Sequence, residues 1–342
     1  MNLKTIYVAC LLFISQLVIS QEGIPVFADY LSDNLYLVHP AMAGAANANK
    51  IRLTARKQWF DVDNAPNLQT MNINFRAGEK TGLGAVIYRD ENGRFSQTGV
   101  YLTFAYHLLF SRDRTDLNML SFGASTGFIQ SNVDLRGLDD IFDPDPVILD
   151  RVQKDFYYNV DIGLSYNYLE WYAHFTIKNL LPTVRDIFDN NTPIRESNNQ
   201  RRYIFSLGYL FSLGNGDGEW GLEPSLLYQA TDETQESTID GNVKVYKDLG
   251  EVTTLWGGLS YRRSLDGAEF SQDGTSVENQ QLQYITPFLG VNYKKWMVGY
   301  TYSYQSNSIV LSDGGFHQIT LGYDFGKQKE RWNCKCPAVN SK

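Results

Sequence analysis

The chain has 342 residues, enough for one large domain or two ordinary ones, with 14% aromatic and only 20% charged residues. Its slightly negative mean hydropathy excludes a helical membrane protein. The formal charge of −8 disfavours a nucleic-acid partner, because phosphate binding calls for a basic surface.

Residues 1–20 read as a secretory signal: Lys4 lies near the start, an apolar run follows from Ile6 to Ile19, and Val18 and Ser20 occupy the cleavage-site positions before Gln21. The run is too short and too poorly flanked for a spanning helix. Cys10 lies inside it and not after the cleavage point, which argues against a lipoprotein anchor. Residues 21–50 are neither strand-like nor evidently disordered, and are expected to form an N-terminal plug or periplasmic segment.

From residue 51 to 326 the side chains alternate between apolar and polar with a period of two. In "VYLTFAYHLLF", Val100, Leu102, Phe104, Tyr106, Leu108 and Phe110 share one face, against Thr103 and His107. In "DIGLSYNYLEWYAHFTIKN" the pattern reverses at Leu169 and Glu170, with Ile162, Leu164, Tyr166 and Tyr168 matched by Trp171, Ala173, Phe175 and Ile177. Fourteen such segments are expected, near 51–60, 68–77, 82–90, 95–110, 117–131, 156–169, 170–179, 201–213, 218–230, 239–247, 252–264, 280–293, 294–305 and 315–326.

A soluble β-sandwich also alternates, but its strands are usually about 5 or 6 residues long. Tilted strands of about 9 to 11 residues span a bilayer, and only a closed barrel leaves no edge unpaired in lipid. The expected fold is therefore all-β, a transmembrane antiparallel β-barrel of about fourteen strands with outer-membrane lipid around it. The connections agree. Every second one is short, as in "AGEKT", Leu169 and Glu170, "DLGE" and "YKK", while the long ones, 132–155, 180–200, 231–238, 265–279 and 306–314, fall in the other set. Short periplasmic turns and long external loops are the rule for such barrels. "DENGR" at 90–94 is a short external exception.

The chemistry of catalysis and cofactors is mostly missing. There is no CxxC pair, HExxH motif, P-loop or dinucleotide fingerprint, and the four histidines are scattered, so no catalytic residue, metal ligand or cofactor is assigned. On the lumen side the polar residues expected are Arg52, Asp161, His174, Glu223 and Arg262, with Arg56, Lys178 and Asp324; they either line a channel or pair across a narrow interior and close it. The external loop holds seven aspartates among Phe142, Asp143, Pro144, Ile148 and Leu149, a set read as a candidate partner-binding loop. Residues 327–342 are expected to be a short periplasmic tail. A bridge between Cys334 and Cys336, two residues apart, would be strained. The plain expectation is two thiols of no defined role, with an intermolecular bridge or a metal contact as the other readings.

Two stretches resemble the PorP/SprF family of the type IX secretion system. "LVHPAMAG" carries Pro40, Ala41, Ala43 and Gly44; "ARKQWFDVDNAPNLQTMNIN" carries Arg56, Gln58, Trp59, Ala65, Pro66 and Thr70. His39 departs from the family pattern, standing where Asn is usual, and Asn67 follows Pro66 where Lys or Thr is commoner. The glycine-bearing "GLGAVIYRDENG", the Asp-Pro-rich 143–146 and the late Cys-Pro extend the likeness. The resemblance implies a fatty-acid-transporter-like outer-membrane barrel without enzymatic activity, serving protein secretion and gliding motility in Bacteroidota. Its implied partners are other type IX secretion components and secreted adhesin cargo with a type B C-terminal domain. A channel or transporter for small or hydrophobic solutes is the alternative.

Overall fold

The computed structural model describes residues 34–58, 65–111, 116–134, 152–181, 200–213, 220–232, 234–250, 252–270, 278–306 and 315–326, together with Trp332, Cys336 and Val339. Residues 1–33, where the secretory signal is expected, Trp59 and the loop residues Phe142, Asp143, Pro144, Ile148 and Leu149 lie outside them.

The described residues form fourteen antiparallel strands: β1 (Asn49–Gln58), β2 (Asn67–Arg76), β3 (Thr81–Asn92), β4 (Phe95–Leu109), β5 (Asn118–Asp134), β6 (Val152–Tyr168), β7 (Trp171–Lys178), β8 (Arg202–Tyr209, resuming as Phe211–Leu213), β9 (Trp220–Thr231), β10 (Ser237–Asp248), β11 (Thr253–Phe270), β12 (Glu278–Tyr293), β13 (Trp296–Gln305) and β14 (Phe316–Phe325). Each pairs with its neighbours in sequence, and the ring closes where β14 meets β1, from Asn49 opposite Phe325 to Gln58 opposite Phe316. No sheet edge is left to lipid, the condition for a sheet to span a bilayer.

The two halves of β8 keep one register against β9, with Gly208 opposite Ser225 and Phe211 opposite Leu222. The gap between them faces Pro224, which has no amide proton to give to the ladder. A second proline acts alike: pairing of β12 with β13 skips from Ile285 to Phe288, on either side of Pro287.

Alternation decides the two faces. Outward side chains are apolar and open to the surroundings, with Leu102 57%, Phe104 53% and Leu289 62% exposed. Inward ones are polar and buried, among them Arg52, Asn72, Gln97, His107, Asn159, His174 and Glu223. This is the inverse of a soluble protein and the pattern of an outer-membrane barrel. Aromatic side chains gather near the rims. At the end with the short turns, Trp171 packs on Tyr209 at 4.8 Å, Trp296 on Tyr323 at 4.7 Å, and the Lys247 ammonium lies 4.5 Å from the Trp220 ring. Toward the loop end Phe128 meets Tyr158 at 5.4 Å. Such rings suit the boundary between hydrocarbon and water.

The strands run past the expected limits at the loop end. β5 continues to Asp134, β6 starts at Val152, and β11 reaches Phe270 after a register shift between Arg263 and Gly267. Beyond the lipid both faces meet water, so the ladder persists after the alternation has stopped.

Candidate functional site inside the barrel

Residues 34–48 lie within the ring against β2 to β8. One helical turn, α1 (Leu35–Val38), gives way at the extended His39 to a 3-10 turn over Pro40–Met42. A four-residue helix has no stability of its own, so its surroundings hold it. Tyr36, Leu37, Val38, Ala41, Met42, Ala43 and Ala45 are all buried.

The wall is shaped for close approach. A Cβ on Gly82 would fall 1.9 Å from the Ala43 carbonyl oxygen, one on Gly84 2.3 Å from the Tyr36 hydroxyl, and one on Gly123 2.3 Å from the Ala41 nitrogen. Gly44 has φ +65, and its own Cβ would meet the Phe75 carbonyl oxygen at 2.6 Å, so both conformation and space demand glycine. The small motif residues Ala41, Ala43 and Gly44 are thus one half of a fit whose other half is the glycines of β3 and β5.

Polar pins complete the seat. The Tyr36 hydroxyl donates to Thr103 Oγ1 at 2.8 Å, which lies 2.7 Å from Ser125 Oγ. His39 bridges two strands, with Nδ1 2.8 Å from Thr176 Oγ1 and Nε2 2.7 Å from Ser206 Oγ. Lys178 Nζ donates to the Leu37 carbonyl at 3.2 Å and stands 3.6 Å from Asp161. Asn74 Oδ1 accepts from the Gly44 amide at 3.2 Å. Arg76 donates to the carbonyls of Gly44, Ala45 and Ala46 at 3.2, 3.1 and 2.9 Å. His107 Nε2 lies 3.0 Å from the Ala43 carbonyl, which only accepts; Nε2 therefore carries the proton, and Nδ1 accepts from Ser121 at 2.8 Å.

Two Ser–His pairs form across neighbouring strands. Ser165 and His174 face each other across β6 and β7 with Oγ 2.6 Å from Nδ1, and Ser121 and His107 do the same across β4 and β5. Cross-strand register, invisible as sequence spacing, makes the pairs. Ser121 and Ser165 are fully buried, and the inner segment covers both sites through Ala43 and Met42, whose sulfur accepts from Ser165 at 3.1 Å.

The other inward residues fall elsewhere on the ring. Arg52 Nη1 lies 2.8 Å from Asp324 at the β1–β14 seam, and Arg56 stacks 4.7 Å from the Phe316 ring. Gln58 is buried, and its backbone amide donates to the Pro66 carbonyl at 2.9 Å beside buried Ala65. Glu223 accepts from Tyr172 at 2.6 Å and from Tyr246, and Arg262 forms a two-point pair with Asp240 at 2.7 and 2.5 Å. Asp161 and His174 therefore belong to the inner-segment seat, while Arg52, Glu223 and Arg262 do not. Sequence reasoning missed Arg76, Thr176 and Ser206; the alternate glycines of "TGLGAV" on an inward face were the one available signal. No group of three or more metal-ligating side chains occurs among the described residues.

Burial holds the His39 imidazole well below its ordinary value of 6.5, with His174 and Lys178 adding to the effect. The neutral ring is the docked form. Stability from this seat is complete above pH 6.5 and is lost as pH falls toward the lowered value. Protection of residues 34–48 from a protease should drop by about tenfold per pH unit below the ordinary value. His39→Asn should flatten that slope, and an unchanged slope would show that another group sets it.

The Cys336 thiol is not free: the residue is disulfide-bonded, with its partner outside the described residues, and is only 1% exposed. The expectation of an idle thiol on a polar tail therefore fails for Cys336, which lies in the buried cluster at the barrel end.

None of the curated proteins matches the chain. Among solved structures, the CymD monoaromatic hydrocarbon channel is similar at 10% identity over 86% of this chain and 92% of that one, with a TM-score of 0.47. The translocator domain of autotransporter NalP from Neisseria meningitidis is 14% identical over 81% of this chain and 88% of that one, with a TM-score of 0.35. BamA from Haemophilus ducreyi, lacking POTRA domains 1–3, is 9% identical over 82% and 70%, with a TM-score of 0.38. The model of the family described as type IX secretion system membrane protein PorP/SprF matches residues 19–323. With nearly the whole barrel covered by that match, the chain belongs to the PorP/SprF family of type IX secretion system membrane proteins.

Proposed function

We propose that the protein is a non-enzymatic outer-membrane component of type IX secretion that docks cargo, such as surface adhesins with a type B C-terminal domain, or assists its export. The observation that carries this reading is the occupied lumen. Residues 34–48 act as a plug over β2 to β8, so the working surfaces are the ends of the barrel. In this reading the leader is removed after Ser20, the short turns face the periplasm, and the long loops face outward. Cargo then meets the apolar residues of the external loop, Phe142, Ile148 and Leu149, set in its acidic rim.

Affinity capture from a detergent extract tests the reading directly. The full-length chain should recover a large secreted adhesin together with other secretion components. The change Ile148→Asp with Leu149→Asp should cut cargo recovery by roughly tenfold or more, the effect of losing a central anchor. Equal recovery would remove the loop from the proposal.

One observation favours the rival reading of a solute channel. Inward Ser225, Leu227, Asn242, Tyr246 and Asn292 on β9 to β12 are only half-buried, so part of the lumen beside them is open. Planar bilayers containing the purified protein decide the matter: steady conductance favours the channel, and silence together with captured cargo favours docking.

A further inference from the structure

The plug and the end of the chain meet at one rim. Residues 34–48 enter β1 at Asn49, and the tail leaves β14 at Phe325, the residue opposite Asn49 in the closing ladder. Three residues farther along the tail are described, and all are buried. Trp332, Cys336 and Val339 are 2%, 1% and 1% exposed, in one apolar cluster with Leu37, Met42, Ala43 and Ala45 of the inner segment and Leu117 and Met119 of the wall.

Asn47 is clasped on both sides. Its side-chain amide donates to the Trp332 carbonyl at 3.1 Å, its side-chain oxygen accepts from the Trp332 amide at 3.3 Å, and its own amide donates to the Val339 carbonyl at 3.3 Å. The two-way bond to Trp332 repeats the pattern of a strand pair with a side chain in place of a backbone. Asn47 lies just before β1, at the end of the inner segment, and Trp332 and Val339 hold it there.

We propose that Trp332 and Val339 form a latch, and that the inner segment leaves its seat only after they have been withdrawn. The wall glycines and His39 position the segment, and the tail keeps it there. A factor acting at this rim opens the barrel by binding the tail alone, since removing Trp332 breaks the clasp and uncovers the apolar cluster in one movement. The device is a property of this chain and stands whether or not cargo docks at the loops.

Hydrogen exchange on the detergent-solubilised barrel tests it with two variants. One is the chain ending at Gly326, which spares the β1–β14 ladder; the other is the full chain with Asn47→Ala and Trp332→Ala. In both, peptides covering residues 34–48 should exchange about tenfold faster or more, while peptides from β4 and β5 keep their protection. If the shortened chain fails to fold, as its gel mobility on heating would reveal, the full-length variant decides. Unchanged exchange of residues 34–48 over a protected barrel would overturn the latch and leave the wall as the sole support. Uniformly faster exchange in the full-length variant would overturn it too, by making Asn47 and Trp332 part of general barrel stability.

Discussion

Changing Gly82 and Gly123 to valine together is expected to expel residues 34–48 from the lumen, and with them Trp332 and Val339, while leaving the barrel intact. The new Cβ atoms would lie 1.9 Å from the Ala43 oxygen and 2.3 Å from the Ala41 nitrogen and Pro40 carbonyl carbon. All are backbone atoms, so no side chain can swing aside. Overpacking typically costs about 1–3 kcal/mol per site and more where nothing yields. Valine suits a strand, so β3 and β5 should still form. The weaker partner is the short inner segment, which has no long helix of its own to preserve. The expected signature is fast cleavage of residues 34–48 by added protease, a conductance well above that of the parent, and unchanged heat-dependent gel mobility. A silent, protease-resistant double variant would show that the segment is seated differently.

Lys178→Met carries the second large effect. Lys178 and Asp161 are buried and 3.6 Å apart, and Asp161 also accepts from the Asn179 amide at 2.9 Å. Removing the ammonium leaves a buried carboxylate short of its counter-charge, which costs about 3–5 kcal/mol. The Leu37 carbonyl loses its donor as well, so the inner segment loosens along with the wall. Restoring balance with Asp161→Leu in the same chain should recover most of the loss, because apolar pairs of similar size often replace buried ion pairs at little cost. The midpoint of denaturant unfolding, compared across the two single variants and the double, measures this. Near-additive losses would mean that the two groups do not act as a pair.

Much of the barrel could be read in advance because its grammar is local. Period-two alternation placed β4 at 95–110 against the observed Phe95–Leu109, and β13 at 294–305 against Trp296–Gln305. Outward Trp171 and inward His174 follow from parity alone. Strand ends beyond the lipid were harder, since Ser131 to Asp134 and Gly267 to Phe270 pair without alternating in hydropathy. The seat of the inner segment was not legible for a different reason. Ala41, Ala43 and Gly44 gain their meaning from Gly82 and Gly123, tens of residues away, and no single-segment pattern joins them. The same holds for Trp332 and Val339, whose burial depends on Asn47 almost three hundred residues earlier.

The seam between β1 and β14 has a genetic consequence. Arg52 reaches Asp324, and Thr54 Oγ1 stands 3.3 Å from Thr320 Oγ1, so the first and last strands complete each other. A premature stop codon upstream of residue 316 would yield no smaller pore. It would yield an open sheet with two bare borders of amides and carbonyls facing hydrocarbon, a product that quality-control proteases in the envelope should clear. For this gene, nonsense mutations short of the final strand should behave as complete nulls.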